Sequence, residues 1–349
     1  TKPVFQIGGQ AGIESISDWS ISGLAVIKGA GSATIGIQIG SDDPTKKLIG
    51  QTWQKVEDVA VEGFAFGVRI IHARQILFSR LAVWPNSIVA ATVSLQITTN
   101  GWFTGDLVFD DTCQFVNNSA TFPSTKCVEI RCTSGDYNNA TGANQIAGIR
   151  FGNLDFYSGQ RAVEIYASNG GYISDIWFSG TQFDQQSTTS IYVEADKNTG
   201  TAPVIQNINV NSCYFSETLG ATVDAVSTGG GIVRDIDVSH NFANGGEKEF
   251  FRASGAGIKA LCIDKNRLIN QNYHTGAGYL IDLGDSVGAS ACGNIADRTD
   301  GASYFDYLVR VGASASRSIV RDNDAGGIPA IAIVLDSSGA VPKSIGGNI

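Results

Sequence analysis

Three stretches of this chain keep the same apolar frame while nearly every other letter changes: IAGIRFGNLDF at 146–156, ISDIWFSGTQF at 173–183 and IQNINVNSCYF at 205–215. The frame is an apolar residue, any residue, an apolar residue, four residues, then a third apolar one. Ile149, Phe151 and Phe156 fit it, as do Ile176, Phe178 and Phe183, and Ile208, Val210 and Phe215. Upstream, Trp19, Ile21, Val26 and Val59, Val61, Phe66 fit; downstream, Leu261, Ile263 and Leu268 fit. Ile236, Val238, Phe242 fits with one residue deleted, and Leu107, Phe109, Phe115 with one inserted; fainter copies start at Ala289 and Ile319. The lead positions 149, 176, 208, 236, 261, 289 and 319 are 27, 32, 28, 25, 28 and 30 residues apart. Apolar residues two apart mark a strand with one face inward. A strand pattern with a period near 28 implies a solenoid of stacked coils.

A second strand recurs in each coil: CVEIRC at 127–132, AVEIYA at 162–167, YVEADK at 192–197, TVDAVS at 222–227, FFRASG at 250–255, LIDLGD at 280–285 and LVRVGA at 308–313. The expected fold is all-β, a right-handed parallel β-helix of about 10–11 coils. Each coil pairs its backbone with the next, so equivalent side chains stack about 4.8 Å apart and the rod is about 50 Å long. Asn153, Asn211, Asn241, Asn266, Asn294 and Asn323 fall near the turn after the first strand. Asn tolerates a left-handed backbone and its amides can stack as a ladder. The whole chain, 1–349, reads as one domain, with 1–50 as an irregular N-terminal cap, 41–54 and 133–145 as inserted loops and 340–349 as an incomplete last coil. The step from Val59 to Ile76, 17 residues, is short for a coil, so the register there stays open.

Composition narrows the function. Charged residues are only 16% and the net charge is −9, without a Lys/Arg cluster, which argues against nucleic acid as a partner. No run of 18 apolar residues is present to cross a bilayer as a helix. The chain holds no Met, even at position 1, as expected of a piece of a longer chain. The six Cys form no CxxC and no His stands at metal-ligand spacing, so free thiols and no metal or cofactor are expected. DNDAG at 322–326 reads as a plain turn, VSTGGGI at 226–232 as a turn, and His72, His240 and His274 lie in unrelated contexts.

Aligning the second strands gives one outward column: Glu129, Glu164, Glu194, Asp224, Arg252, Asp282 and Arg310. Four stacked carboxylates repel and raise one another's pKa. Acids on adjacent coils would approach the ~5 Å of a retaining glycosidase, those on alternate coils the ~9 Å of an inverting one. Such a column also fits a solvated face or a contact with basic residues of a second subunit. On the first strand, Arg150 and Trp177 are outward neighbours, able to hold an acidic sugar and stack on its ring, with Tyr157, Tyr166 and Tyr192 nearby. A covering loop or second subunit would account for Trp177 equally well.

With the coils laid out over about 13–325, through ISDIWFSGTQF, IQNINVNSCYF and VRDIDVSHNF, the chain resembles the pectate-lyase-like superfamily of parallel β-helices, and within it the body of a bacteriophage tailspike. The resemblance implies a homotrimer on a virion tail, assembled with other tail proteins, that binds bacterial surface polysaccharide, capsule or O-antigen, and cleaves it with carboxylates. On that reading Glu129, Glu164, Glu194 and Asp224 are the catalytic candidates, and Trp177, Arg150, Tyr166, Tyr192 and Arg252 the substrate-binding ones. Neither a head-binding segment nor a trimerisation domain is read in the sequence, which fits a fragment or a short member. A non-enzymatic adhesion module and a polysaccharide lyase or epimerase are the alternatives; the acid-rich, Lys-poor face argues against the second.

Overall fold

The computed structural model describes residues 3–8, 19–28, 32–46, 48–84, 93–116, 126–133, 135–271, 278–297, 305–326, 332–337 and 344–346. Its described residues form strands and turns without a helix. Twelve strands stack into one sheet, here the wide sheet, running from Pro3–Ile7 through Lys126–Cys132, Arg161–Ser168 and Thr189–Asp196 to Ala332–Asp336. A second, angled sheet takes two strands per coil in the middle of the rod, a long one such as Tyr172–Ser179 and a short one such as Gln182–Asp184. Each strand pairs parallel to its counterpart one coil on. Parallel crossovers between twisted strands are right-handed, so the chain is a right-handed parallel β-helix of about ten coils. The final coil expected at 340–349 lies mostly outside the described residues. In the stretch expected to cap the rod irregularly, Pro3–Ile7 and Ile35–Gly40 are already paired rungs of the wide sheet.

The apolar frame is the core. Ile149, Ile176, Ile208, Ile236 and Leu261 are register partners in turn. Phe78, Phe109, Phe151 and Phe178 stack face to face, with centroids 4.4, 5.1 and 5.0 Å apart. Phe115, Phe156, Phe183 and Phe215 form a second file at 5.7, 5.0 and 4.7 Å. The two files meet edge to face, as Phe151 does on Phe156 at 5.9 Å, the arrangement that ring quadrupoles favour.

Four expectations of register need correction. In the coil assigned to Val59, Val61 and Phe66, the positions are held by Gln54, Val56 and Val61; Gln54 pairs with Ile76 and Val61 with Val83. Gln54 is buried because its Oε1 accepts the Trp19 N–H at 2.6 Å, so a polar residue fills an apolar slot. That removes the short step at Ile76. In the coil of Ile236, the inward residue is Ala243, partner of Phe215; nothing is deleted, and Phe242 faces outward on Tyr214. Ile319 is likewise outward and 42% exposed, while Ser318 takes the buried lead position.

The fourth correction concerns asparagine. The left-handed corner residues are Asn153, Gly180, Ser212, His240, Lys265, Gly293 and Asp322. Asn241, Asn266, Asn294 and Asn323 each come one residue later and are buried. Asn266 Oδ1 accepts from the N–H and the Nδ2 of Asn241, both at 3.0 Å, and its own Nδ2 donates to the Val238 carbonyl at 2.8 Å. Asn294 and Asn323 repeat the pattern. The ladder therefore supplies partners for corner backbone groups that no strand pairing reaches. In earlier coils the same place holds Leu154, Thr181 and Cys213, and Asn211 lies at the strand end, bonded to Ser239.

Candidate functional site

The wide sheet presents its outward face as side-by-side files. In the central file Gln96, Glu129, Glu164, Tyr192, Asp224, Arg252, Asp282 and Arg310 follow one another in register. Tyr192, not Glu194, pairs with Glu164. Glu194 stands one file over, between Tyr166 and Val226. The expected row of four carboxylates is therefore not a row. Tyr192 and Glu194 both lie on the outward set of Thr189–Asp196, so alternation alone does not say which joins the central file; the charged letter suggests Glu194, and the register takes Tyr192, two residues earlier.

The two adjacent acids do not stand bare. Lys126 Nζ lies 3.0 Å from Glu129 Oε1 and 2.5 Å from Glu164 Oε1. Arg161 bonds Glu164, Arg131 Nη1 lies 3.5 Å from Glu129, and Gln96 donates to Glu129 at 2.7 Å. Burial alone would push the Glu129 carboxyl up, but Lys126, Gln96 and Arg131 outweigh it and hold it below the usual range. Asp224 is gripped by both arms of Arg252, at 3.0 and 2.5 Å. The Tyr192 hydroxyl donates to Glu194 at 2.9 Å, and that of Tyr166 to Asp196 at 3.1 Å. Burial, and then that bond to Glu194, keep Tyr192 a phenol. The Arg161 guanidinium covers the Tyr192 ring at 3.7 Å, and Arg131 covers Tyr166 at 4.6 Å.

Beside the central file runs a second one. Lys126, Arg161 and Thr189 are successive partners, and the same register carries on to Ala221, Glu249 and Tyr279. Two small residues, Thr189 and Ala221, thus interrupt a file of long ones. The gap they leave is a cleft of about 420 Å³, walled by Arg161, Tyr192, Asp224, Lys248 and Arg252. Ser187, Thr188 and the 43% exposed Leu219 form its rim. The rim is pinned from below: Gln186, fully buried, donates to the Phe156 and Asp184 carbonyls and accepts from Ser190. Gly220 passes so near the Thr188 carbonyl that a Cβ there would sit 1.7 Å from the oxygen, so no side chain intrudes at that point.

Further along, Asp282 is buried, accepts the Gly284 N–H at 2.9 Å and pairs with Arg310 at 2.9 Å. Burial pushes its carboxyl up; the Gly284 bond and Arg310 oppose this, and the charge of Glu249 adds to it. Glu249 has one buried carboxylate oxygen, Oε2, without a hydrogen-bond partner. Lys126 and Glu164, which touch at 2.5 Å, occupy the same two register positions relative to each other as Glu249 and Asp282. Sequence reasoning passed over Glu249 because it precedes the strand Phe251–Ser254 and no alternating pattern marks it as outward.

Arg150 and Trp177 are adjacent as expected, with the guanidinium 5.1 Å from the ring centre. They lie on the angled sheet, in a separate groove of about 370 Å³ with Val108, Asp110 and Ser179. The core separates them from Tyr166, Tyr192, Arg252 and the carboxylates, so the sequence candidates divide between two faces. Among the described residues no cluster of His, Cys, Asp and Glu is arranged to hold a metal ion. The six cysteines are free, and burial pushes the Cys113 thiol up to about 11 and those of Cys132 and Cys213 to about 12, which makes them poor nucleophiles.

No protein-family model matches the sequence, and no curated protein does. Among solved structures, a mutant tailspike protein of E. coli bacteriophage HK620 aligns at 12% identity with a TM-score of 0.36, over 89% of this chain and 64% of the tailspike. The A-module of the Azotobacter vinelandii mannuronan C-5 epimerase AlgE6 aligns at 12% identity with a TM-score of 0.27, over 97% of this chain and 91% of the module. The chain thus spans a little under two thirds of the tailspike's length. At that distance neither structure says what this chain binds.

Proposed function

We propose that the chain is a polysaccharide-binding rod of a bacteriophage tail, working as a homotrimer with other tail proteins and meeting bacterial capsule or O-antigen on its wide sheet. The observation that carries this reading is the gap left by Thr189 and Ala221. It is two coils tall, about 10 Å by the strand spacing, and open to solvent along the rod, as a long polymer requires. Its lining mixes hydroxyls, cations, a tyrosine edge and an apolar rim, which is what a polyol with apolar ring faces needs. The ion pairs of Arg161 and Arg252 fix the walls beforehand, so little side-chain freedom is lost on binding. Filling the cleft with Ala221→Trp is expected to weaken binding to the host polysaccharide at least tenfold by calorimetry while the β-sheet circular dichroism stays unchanged. Equal binding by the filled variant would place the site elsewhere.

A second reading, hydrolysis of the bound glycan, is favoured by the charge of Glu249 acting on the buried Asp282 one coil on. One carboxyl of an acid–base pair must stay protonated while the other is ionised. The raised Asp282 carboxyl has that tendency, whereas Glu129 is held the other way. Asp282 is then the proton donor and Glu249 the nucleophile or base; Asp224, which lines the cleft, and Glu194 beside Tyr192 orient the chain. Reducing-end release that vanishes in Glu249→Gln and in Asp282→Asn, with binding kept, supports this assignment. Release that persists in both returns the chemistry to Glu129 and Glu164, and an unsaturated uronate chromophore would instead mark a lyase.

A further inference from the structure

We infer that the glycan held in this cleft carries a carboxylate on its repeating unit, and that Lys248 is the residue that reads it. This deepens the proposal of a glycan-binding cleft and rests on it. The chain carries a net charge of −9, yet three cations, Arg161, Lys248 and Arg252, line the cleft against one acid, Asp224. Two of the three are already committed: Arg161 bonds Glu164, and Arg252 grips Asp224. Lys248 is exposed at the cleft wall, and no ion pair engages it among the described residues. Its chain neighbours are Glu247 and Glu249, but neither lines the cleft, and Asp224, the one carboxylate among the described lining residues, is held by Arg252.

Charge arithmetic sets the ligand. One uncommitted ammonium matches a singly charged group, so a uronic or sialic type of carboxylate fits better than a doubly charged phosphate. At ordinary ionic strength charges farther than about 10 Å apart are largely screened. The distant acids of the rod therefore do little to repel the ligand; of the near ones, Glu164 and Asp224 are held by Arg161 and Arg252, which leaves Glu247 and Glu249 beside Lys248 as the local opposition. Lys126, though it also lies on this face, is occupied by Glu129 and Glu164.

The test measures binding of the whole chain to a panel of bacterial capsular polysaccharides, acidic and neutral, each acidic one also in its carboxyl-reduced form. The expected result is that an acidic member binds, that carboxyl reduction weakens it about tenfold, the scale of one charge-assisted contact, and that Lys248→Ala loses the same factor while Lys248→Arg largely restores it. Ala221→Trp should abolish both forms. Equal binding of a polymer before and after reduction, or preference for neutral members, overturns the carboxylate and leaves the glycan cleft standing. Retained discrimination in Lys248→Ala overturns the role of Lys248. Absence of binding across the panel overturns the glycan reading, and this inference with it.

Discussion

From Phe78 to Phe215 the interior of the rod is a double file of aromatic rings; from Asn241 to Asn323 its corner is a file of amides. The backbone repeats through both regions, but different forces hold it. In the first, the corner is apolar or nearly so, with Leu154, Thr181 and Cys213, and ring area carries the load. In the second, the positions of the two ring files hold Val238, Ile263 and Ala291, and Ala243, Leu268 and Ala296, so those files bury less apolar area per coil. Dispersion and burial are non-directional, so they tolerate a slip in register. Amide bonds are directional and fix the register where smaller side chains cannot.

The contrast can be broken by exchanging what each half lacks. Phe151→Ala opens a cavity between three rings and is expected to cost about 3–5 kcal/mol, seen as a lower urea midpoint and faster amide exchange in neighbouring coils. Asn266→Ala is expected to cost somewhat less, about 2–3 kcal/mol, because it strands the Asn241 N–H and the Val238 carbonyl. Its exchange signature should be confined to the corner residues 239–242 and 264–267. If Asn266→Ala left stability unchanged, the ladder would be decoration on a core sufficient by itself.

The smallest expected effect sharpens the same division through pH. Glu129, in the aromatic half, has a folded pKa below its unfolded value. Its contribution is present above the unfolded glutamate value, near 4.3, and is lost as pH falls through the folded one. Asp282, in the amide half, is raised. Its contribution is full below the unfolded aspartate value and is lost as pH rises through the raised one. Acidification should therefore loosen the coils around Glu129 while tightening those around Asp282, an opposition that exchange measured from pH 6 to pH 3 would reveal. Parallel loosening in both halves would contradict it.

The sequence revealed the architecture because strand period and coil period are carried by apolar letters, and those letters are the core. Register was legible wherever one set of alternate positions was apolar and the other polar, as at Ile176, Phe178 and Phe183. It failed where that contrast lapsed. Gln54 hides a core slot behind a polar name, and in Thr189–Asp196 Tyr192 and Glu194 are both outward, so a shift of two residues keeps the alternation and moves Glu194 out of the file it was expected to join. The cleft was invisible for a plainer reason: it is made by the smallness of Thr189 and Ala221, and small residues advertise nothing in a linear reading. Lys126 reaches both Glu129 and Glu164 from three residues before Glu129, past the buried Cys127 and Val128, a contact that alternation does not anticipate.

The amide file has one more property. Because Asn241, Asn266 and Asn294 each offer the coil above what they take from the coil below, a whole turn can be spliced out or copied in, and the cut ends meet with matching donors and acceptors. The rod's length in that region is therefore an adjustable spacer, free to drift by entire turns but not by fractions of one, and the cleft keeps its shape while its distance from the far tip changes.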